Sequence, residues 1–574
     1  MLERSLAIAT VVLIVFLGEE AMRADESAKQ MANGAVPAAP AFLALKIEGG
    51  FDNAQLHGVR VEDADRASPR VIIAGNLDVE GLPEKGRDVN RFLHWNFRLV
   101  NCKGRTVRFE LYQSKANLWP SMTMVPTIRY ADGQVELVRG ITSKNYGPAL
   151  DAQGQPIRNM QKLGVFFSHR FRDEPATVSY CLPFTNDDIA ALAADFKSNK
   201  SVTVNTLGQT PLFKLPLYQF VVTDPSVPDR DKKGVWLYAG EDPWEFPGVY
   251  ALAGFTRFVA SDDPLAQEFR RKFVLSAIPH VNPDALHRGD TNFYLDATGR
   301  SIINTGLSWK RTDIVANEMI KAAMHKWKDD GRSVDFMTSM HSSCFWTAVM
   351  RIDWAYDQAV ARKFIDEVYA KKYIPWAAGK AMGTPAEVQT DSLGGHVASK
   401  LWPDRTIHFG QHLEQIVLPK WELLGLKEAK WPEELPTDYL RCQKDDLYTQ
   451  GELFARAVAE FYGVTVPSEK VPPFLMCGDV DQYTGKPGEP RAFSVLYRDL
   501  EGREPRFVKL SVGGKTVEMK RAAGQTAVKG FLYEGAVPLS AGDNSYSFEA
   551  SNGIQAIRYP RTGSFLGPYV VEQP

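Results

Sequence analysis

Along residues 41–200, hydrophobic residues alternate with polar ones. Trp95, Phe97 and Leu99 are separated by polar neighbours, and several later runs keep the same spacing. A period of two is typical of β-strands that bury one face. The pattern predicts an N-terminal antiparallel β-sandwich domain, with a helix near its end over Asp187–Phe196, where the apolar spacing becomes helical.

Over 205–465 the pattern changes to apolar runs of strand length that alternate with longer segments of helical spacing. The strand candidates are Val235–Ala239, Phe273–Ile278, Val334–Met340 and Thr406–Gln411. The helix candidates are Val249–Val259, Asp313–Trp327, Ala359–Tyr369 and Leu447–Tyr462. Such alternation predicts an α/β/α domain, in which helices cover both faces of a mainly parallel, mixed sheet.

The last part of the chain returns to short alternating runs. Residues 466–489 are rich in proline and are predicted to be a linker. Beyond them, 490–574 contains strand-length runs separated by glycine turns, such as Val508–Val512 before Gly513. The spacing of these short strands predicts a C-terminal β-sandwich domain.

The first 24 residues, 1–24, have the order of a secretory signal peptide. Arg4 precedes an apolar segment, Ser5–Gly18, which is shorter than the roughly 20 residues that a transmembrane helix needs. Residues 25–40 are rich in alanine, proline and small polar groups and are predicted to be a flexible leader. We therefore expect an exported protein, periplasmic or extracellular, without stable membrane association after cleavage. An uncleaved membrane anchor is the alternative.

The composition of the chain indicates which classes of binding partner are not expected. The 574 residues contain 67 Lys and Arg against 69 Asp and Glu, a formal charge of -2, without long basic runs that would attract nucleic acid or anionic lipid. Nucleic acid is therefore not an expected partner, and the oligomeric state stays open. The five cysteines are scattered without a Cys-x-x-Cys pair, which disfavours a zinc site made of cysteines.

An acidic string follows the first of the strand candidates in the α/β region. It places Glu241, Asp242 and Glu245 before a Pro-Gly break. By itself such a string is also typical of a helix start, where carboxylates accept hydrogen bonds from free backbone N–H groups. Ligands of open α/β sheets, however, bind beyond the carboxyl ends of strands. His341 ends another strand candidate, so the acidic string and this histidine can form a metal site, with Glu414 nearby as a base.

Several strings in the α/β region share their order with a known family. They are Glu-Asp-Pro-Trp-Glu at 241–245, Asn-Pro-Asp at 282–284, Gly-Asp-Thr-Asn at 289–292, the stretch 304–309 and Met-His-Ser at 340–342. Glu414 lies 73 residues after His341, a separation close to that in the family. In this order the chain resembles the zinc carboxypeptidase family, and specifically its cytosolic-carboxypeptidase-like branch. The β-rich region before these strings is similar to the sandwich that precedes the catalytic domain in that branch.

The resemblance implies a cofactor and a role for each matched residue. Asp242, Glu245 and His341 would hold a zinc ion, and Glu414 would be the catalytic base. The expected substrate is a peptide or a related amide. The expected fold of 205–465 is that of the zinc carboxypeptidases.

The same resemblance shows departures that make the active site degenerate. The family has histidine where Asp242 stands, and its substrate-binding residues correspond to Asn292, Asn304 and Thr305, where two arginines are missing. Those arginines hold a terminal carboxylate through forked hydrogen bonds, which asparagine and threonine cannot supply. An Asp-Glu-His set suits iron or manganese as well as zinc, and the absence of any metal is a further alternative.

Two main functions fit these residues, and a third, an amidohydrolase that acts on a substrate without a free carboxylate, would explain the missing arginines and keep the metal. The first is a metal-dependent, carboxypeptidase-like hydrolase of peptide or related amide bonds, with altered metal and carboxylate-binding residues. The alternative is a catalytically inactive carboxypeptidase-like protein that binds a peptide or glycan without cutting it. The feature that discriminates between them is whether Asp242, Glu245 and His341 converge on a metal.

We predict that Ser5–Gly18 is removed on export, because a short apolar core after Arg4 is typical of a cleaved signal. N-terminal sequencing of the protein from its native host should begin near Asp25. An intact Met1 in a membrane fraction would show instead that the segment is an anchor.

Overall fold

The computed structural model describes the following parts of the chain. They are residues 42–52, 54, 59–74, 95–115, 125–150, 155–289, 293–295, 301–303, 309–342, 349–375, 393–413, 416–419, 439–524 and 526–571. The predicted signal peptide, 1–24, and leader, 25–40, lie outside the described residues. Among the residues that are described, no helix is both long enough and apolar enough to cross a membrane.

The N-terminal region folds into two five-stranded sheets. Its strands are β1 (Lys46–Glu48), β2 (Val59–Glu62), β3 (Arg70–Ala74), β4 (Asn96–Val100), β5 (Thr106–Lys115), β6 (Thr127–Tyr130), β7 (Val135–Leu137), β8 (Thr142–Leu150), β9 (Pro156–Arg170) and β10 (Ala176–Ser179). The sheet orders are β1-β4-β10-β6-β7 and β2-β3-β5-β9-β8. Phe97 and Phe109, from different sheets, lie in one hydrophobic core. The predicted alternation is thus confirmed as strands that bury one face.

One pair of strands in this region departs from the antiparallel arrangement that the sequence predicted. β3 and β5 pair in parallel, with Val71 opposite Phe109. β4 lies between them in the chain but belongs to the other sheet. The chain therefore crosses between sheets and returns in the same direction, which a tight hairpin turn would not allow.

The central region is built around a mixed sheet. Its strands are β11 (Val202–Gln209), β12 (Pro216–Val222), β13 (Lys233–Ala239), β14 (Phe273–Ile278), β15 (Phe293–Leu295), β16 (Ser301–Ile303), β17 (Phe336–Ser342), β18 (Val349–Ala355), β19 (Ile407–Leu413), β20 (Ile416–Pro419) and β21 (Tyr439–Arg441). Seven of them form one sheet in the order β11-β12-β14-β13-β17-β19-β18. The strands β14, β13, β17 and β19 run parallel to one another. The four predicted strands and the mixed sheet are confirmed.

The predicted helices are also present. The α-helices are α1 (Asn186–Phe196), α2 (Phe246–Val259), α3 (Pro264–Lys272), α4 (Pro283–Arg288), α5 (Val315–Asp329), α6 (Gln358–Lys363), α7 (Ser399–Leu401) and α8 (Lys444–Phe461). Short 3-10 turns span Asp229–Asp231 and Ser468–Lys470, and π-helical segments span Phe364–Tyr373 and Gly394–Ala398. The helix predicted over Ala359–Tyr369 is therefore α6 continued by π-helical turns.

Two hydrophobic cores cover the two faces of the seven-stranded sheet. Along β13, Val235 and Leu237 belong to one core, and Trp236 and Tyr238 belong to the other. Helices α2 and α8 contribute to the first core and α5 to the second. Because neighbouring residues of a strand face opposite sides, the sheet is buried on both faces, as the pattern predicted.

The C-terminal region consists of short strands. They are β22 (Phe474–Val480), β23 (Thr484–Gly485), β24 (Pro490–Arg498), β25 (Phe507–Val512), β26 (Lys515–Glu518), β27 (Lys520–Gly524), β28 (Phe531–Pro538), β29 (Gly542–Asp543), β30 (Tyr546–Ser551), β31 (Ala556–Tyr559) and β32 (Tyr569–Val570). The sheet orders are β22-β24-β28-β27, β26-β25-β30-β31 and β23-β32-β29. Phe493, Leu510 and Phe548 share the core of this region.

The segment 466–489, predicted as a linker, contains strands. All seven residues of β22 are buried, and β23 follows. Pro472 and Pro473 stand before β22 rather than inside it, so the apolar run that follows can pair within the sheet. The domain boundaries at 41–200, 205–465 and 490–574 stay predictions, and the chain from Leu45 onward forms one compact unit.

A buried group of charges connects the N-terminal and C-terminal regions. Glu136 on β7 contacts the guanidinium of Arg172 and lies 2.8 Å from Nε2 of His169. Arg172 also donates to Asp543 at 2.6 Å and to the carbonyl of Gly567 at 2.6 Å. Burial disfavours the charged form of Glu136, but the attraction of His169 and Arg172 outweighs burial, so the pKa of Glu136 is lowered.

We predict that Glu136→Gln lowers the free energy of unfolding by about 3 kcal/mol near neutral pH, because Arg172 would keep the exposed carboxylate of Asp543 but lose the buried one. Since the pKa of Glu136 is lowered in the folded state, its stabilisation is present above the unfolded value of about 4.3 and is lost as the pH falls through the folded value. Guanidinium chloride unfolding at neutral and acidic pH measures both effects.

The matched control is Glu504→Gln, which removes an exposed carboxylate 3.3 Å from Arg521. An exposed pair contributes less than about 1 kcal/mol. If both variants lost the same stability at neutral pH, the buried group would not be the stronger connection.

Candidate metal centre

The turn after β13 begins with a glycine. Gly240 has a φ of 76°, in the left-handed region that favours glycine. A Cβ at this position would lie 2.4 Å from the ring of His280. The chain therefore turns sharply against His280, and Glu241 and Asp242 come to lie at the carboxyl end of the parallel strands.

Helix α2 begins against the neighbouring strand. Glu245 is its N-cap residue, and the backbone N–H of Glu245 donates to the carbonyl of Asp242 at 3.0 Å. One turn later, a Cβ at Gly248 would lie 2.5 Å from the carbonyl oxygen of Met340 on β17. Only glycine allows such a close approach of helix and strand, which brings Glu245 against the next strand residue, His341.

Three ligand atoms meet at this edge of the sheet. Nδ1 of His341 lies 2.6 Å from Oε2 of Glu245 and 3.9 Å from Oδ2 of Asp242. One ligand atom from each residue lies within 4.8 Å of the other two. The structure thus brings together the residues predicted as metal ligands, and their role as ligands stays a prediction.

A further carboxylate, Glu241, faces the other nitrogen of His341. Oε2 of Glu241 lies 3.0 Å from Nε2 of His341, and Oε1 accepts a hydrogen bond from Nε1 of Trp309 at 2.5 Å. With a cation bound at Nδ1, a carboxylate in this place would hold the proton on Nε2 and so keep the lone pair of Nδ1 available to the ion. Glu241 is therefore a positioning residue for His341.

These groups alter one another's protonation. Burial raises the pKa of Glu245 to about 8; His341 opposes the shift and Asp242 adds to it. Burial disfavours the charged ring of His341, but attraction to Glu245 and Glu241 outweighs burial and raises its pKa well above the ordinary value. Burial also opposes ionisation of Glu241, but the hydrogen bond from His341 lowers the pKa of Glu241.

The chemistry of the donor set fits a divalent cation. Three carboxylates surround one imidazole, so the site has more negative charge than His341 can neutralise. Carboxylate oxygen and imidazole nitrogen are ordinary zinc ligands, and three protein ligands leave a coordination position open, as catalytic zinc sites do. The same donors also suit iron and manganese.

The other predicted site residues lie outside the described residues; they are the substrate-binding candidates Asn292, Asn304 and Thr305 and the catalytic candidate Glu414. The neighbouring strand β19 ends at Leu413, which pairs with Ser342, and His412 pairs with His341. Glu414 follows Leu413 directly in the sequence.

Some contacts of the site were not predicted from the sequence. The sequence assigns no partner to Glu241, although its place directly before Asp242 indicates that it could support a ligand. Trp309 ends the matched stretch 304–309 without an assigned role. Tyr180, in the N-terminal region, donates its hydroxyl to the carbonyl of Trp244 in the turn. Residues 64 positions apart share no local pattern that could indicate this bond.

Known proteins that resemble this chain are carboxypeptidases. No family model matches the chain. Cytosolic carboxypeptidase 2 of Xenopus tropicalis is 28% identical over 155 residues, which make up 25% of this chain and 15% of that protein. Human cytosolic carboxypeptidase 2 is 34% identical over 89 residues, 15% of this chain and 10% of that protein. The chain therefore spans 15% or less of the length of these two relatives.

A solved structure shares the fold. The metallo-carboxypeptidase from Burkholderia cenocepacia superposes with a TM-score of 0.51, covering 73% of this chain and 99% of that chain, at 15% sequence identity. At such low identity the likeness concerns the fold alone. The mixed sheet with helices on both faces is therefore a carboxypeptidase fold.

We predict that Glu241→Gln weakens zinc binding about tenfold, the order expected when the support of a histidine ligand is lost. Trp309 and Nε2 of His341 both donate to Glu241, and a glutamine side chain has a single oxygen to accept them. Calorimetric zinc titration measures the affinity. The control Glu268→Gln, on α3, should bind zinc like the wild type, and an unchanged affinity in Glu241→Gln would contradict the positioning role.

Asp242→His in the same titration tests the ligand role of Asp242. A neutral nitrogen ligand would replace a carboxylate and remove one negative charge from the ligands, so zinc affinity should rise. A folded Asp242→His variant that binds zinc no better than the wild type would show that Asp242 belongs only to the helix start.

Proposed function

We propose that this chain, a zinc-carboxypeptidase-like protein with cytosolic carboxypeptidases among its relatives, is a metal-dependent hydrolase of peptide or related amide bonds. The observation that carries the proposal is the meeting of Asp242, Glu245 and Nδ1 of His341 within 4.8 Å of one another. Glu241 contacts the other ring nitrogen, Nε2 of His341. Histidines that bind a metal commonly have such a carboxylate, which fixes the orientation of the ring.

Asp242, Glu245 and His341 would hold the metal, which we propose to be zinc, with iron or manganese as the other fitting ions. A divalent cation supplies Lewis acidity toward a carbonyl oxygen and toward water. Two carboxylates cancel the formal charge of such an ion, whereas one carboxylate and two histidines would leave it positive. The acidity is therefore weaker in this site than in a site with two histidines.

Glu414 would act as the general base. It follows β19, which pairs with β17 beside His341. A carboxylate in this place would accept a proton from the attacking water and pass it to the leaving amine. Because Glu241 holds the proton of Nε2, His341 is kept as a ligand and does not take part in this transfer.

The substrate class follows from the residues at the matched substrate-binding positions. Asn292, Asn304 and Thr305 contain no guanidinium group, and forked recognition of a carboxylate depends on that group. We therefore propose peptides or related amides whose binding does not require a free terminal carboxylate. Because a signal peptide is predicted at residues 1–24, we propose that the protein acts outside the cytoplasm.

Glu414→Gln should keep the fold and the metal but lose roughly a hundredfold or more of the turnover, because a glutamine amide cannot accept the proton of water. Hydrolysis of matched peptides, with a free carboxylate or a C-terminal amide, measures the activity. Elemental analysis measures the metal. We expect the two peptide forms to be cleaved at similar rates, and the control Glu268→Gln to match the wild type.

Two outcomes would contradict the proposed function. A folded wild-type protein without a divalent metal would remove the catalytic centre. A fully metallated protein without turnover on either peptide form would favour the alternative, a carboxypeptidase-like protein that binds a peptide or glycan without cutting it. Unchanged turnover in Glu414→Gln would show only that another group is the base.

A further inference from the structure

A second cluster of ligand-type side chains lies where α8 meets the C-terminal sheets. It consists of Cys442, which precedes α8, Asp446 in the first turn of α8, and Cys477 on β22. One ligand atom of each residue lies within 4.8 Å of the other two. All three residues are fully buried. Two sulfurs and a carboxylate oxygen that lie this close together can bind the same ion. The bond between zinc and a cysteine sulfur is about 2.3 Å long.

The strand β22 is distorted at Cys477. This residue has a φ of 53°, a conformation that is unfavourable for residues other than glycine. Its pairing with β24 breaks at the same place, since Met476 pairs with Leu496 and the next pair is Asp479 with Ser494. β22 thus carries one extra residue, a β-bulge. Bulges redirect a side chain and are common beside binding sites.

Asp446 is a buried carboxylate that uses one of its oxygens. Oδ2 accepts from the backbone N–H of Gln443 at 2.7 Å and from the hydroxyl of Tyr559 at 2.6 Å. Oδ1 has no hydrogen-bond partner of good geometry among the residues that the structure describes, although the backbone N–H of Cys477 faces the carboxylate and favours its charged form. A buried polar oxygen without a partner is energetically unfavourable. In Asp446 this oxygen belongs to a carboxylate that lies close to the sulfurs of Cys442 and Cys477, so a bound cation would give it a partner.

We propose that Cys442, Asp446 and Cys477 bind a divalent cation of the zinc class, which fastens α8 to the C-terminal sheets. Thiolate ligands select such a cation over magnesium and calcium. On binding, the two thiols release their protons to solvent, as does the carboxyl group where it is protonated. The side-chain amide of Gln450 lies 3.3 Å from Sγ of Cys442, so a turn of this amide would present its oxygen as a fourth ligand.

Charge balance supports the same site. Two thiolates, one carboxylate and a divalent cation sum to one negative charge, which is unfavourable to bury alone. Arg498 is fully buried and donates to the carbonyls of Tyr373 and Lys372 at 2.8 Å. Burial lowers the pKa of Arg498 to about 9, and Cys477 opposes this shift. The guanidinium of Arg498, which interacts electrostatically with Cys477, would supply the balancing charge.

The expectation that the cysteines form no zinc site rested on their spacing. Cys442 and Cys477 lie 35 positions apart and form no Cys-x-x-Cys motif. Their approach depends on how β22 packs against the start of α8. The site shares no residue with Asp242, Glu245 and His341, so its test is independent of the proposed hydrolase function.

Production of the full chain in cobalt-containing medium tests the proposal. Thiolate ligands give cobalt intense charge-transfer absorption in the near ultraviolet, whereas carboxylate and imidazole ligands do not. We expect this absorption in the wild type and in His341→Ala. Cys442→Ser and Cys477→Ser should abolish it and lower the bound metal by one equivalent per chain, with a lower thermal unfolding temperature.

Two serine controls make the result specific. Cys102→Ser changes a buried cysteine that lies outside the cluster and should keep the absorption. Cys344→Ser excludes a thiolate close in sequence to His341 and should also keep it. The proposal is overturned if the wild type lacks the absorption, if Cys477→Ser retains it, or if mass spectrometry finds Cys442 and Cys477 joined as a disulfide.

Discussion

The close packing of α2 on the end of β17 is the contact on which the metal centre depends. At Gly248 the helix approaches the backbone of Met340 so closely that a single methyl group would clash. That approach places Glu245, at the start of the helix, 2.6 Å from Nδ1 of His341, at the end of the strand. Two ligand candidates 96 positions apart in the chain are thus held by backbone packing rather than by flexible side chains.

The surplus of carboxylates determines what this arrangement can do. Glu241, Asp242 and Glu245 all lie within 4 Å of one imidazole. Buried like charges repel one another, so the group must take up protons or a cation. Glu241 and Glu245 engage opposite nitrogens of His341, which separates a supporting carboxylate from a ligand carboxylate. This division is the reason that the site resembles a metal centre more than a simple helix start.

Contacts between distant regions support the central domain. Tyr180 donates to the carbonyl of Trp244 within the turn of the metal centre. Arg172 connects the buried Glu136 to Asp543 in the C-terminal region. In the C-terminal region, β22 places Cys477 close to Cys442 and Asp446. The N-terminal and C-terminal sheets therefore stabilise the ends of the elements that they contact, and both sites depend on packing between regions.

The sequence by itself determined the elements of the central domain. Apolar spacing reports which face of an element is buried, so β14 was predicted residue for residue and the other strands of the prediction within two residues. The ordered strings placed Asp242, Glu245 and His341 at strand ends, where the parallel sheet brings them together. The proline content of 466–489, by contrast, predicted a linker where the structure has the strands β22 and β23. Proline before a strand and proline in a linker contribute equally to composition, so composition cannot distinguish them.

Only the tertiary structure decided which residues contact one another across the chain. Spacing records that a residue is buried but not which residue it meets, because contacts across many positions depend on how whole elements pack. The hydrogen bonds of Glu241 to His341 and Trp309, and the parallel pairing of β3 with β5, are contacts of this kind. The approach of Cys477 to Cys442 depends further on a bulge in β22, a backbone feature that no hydrophobic pattern indicates.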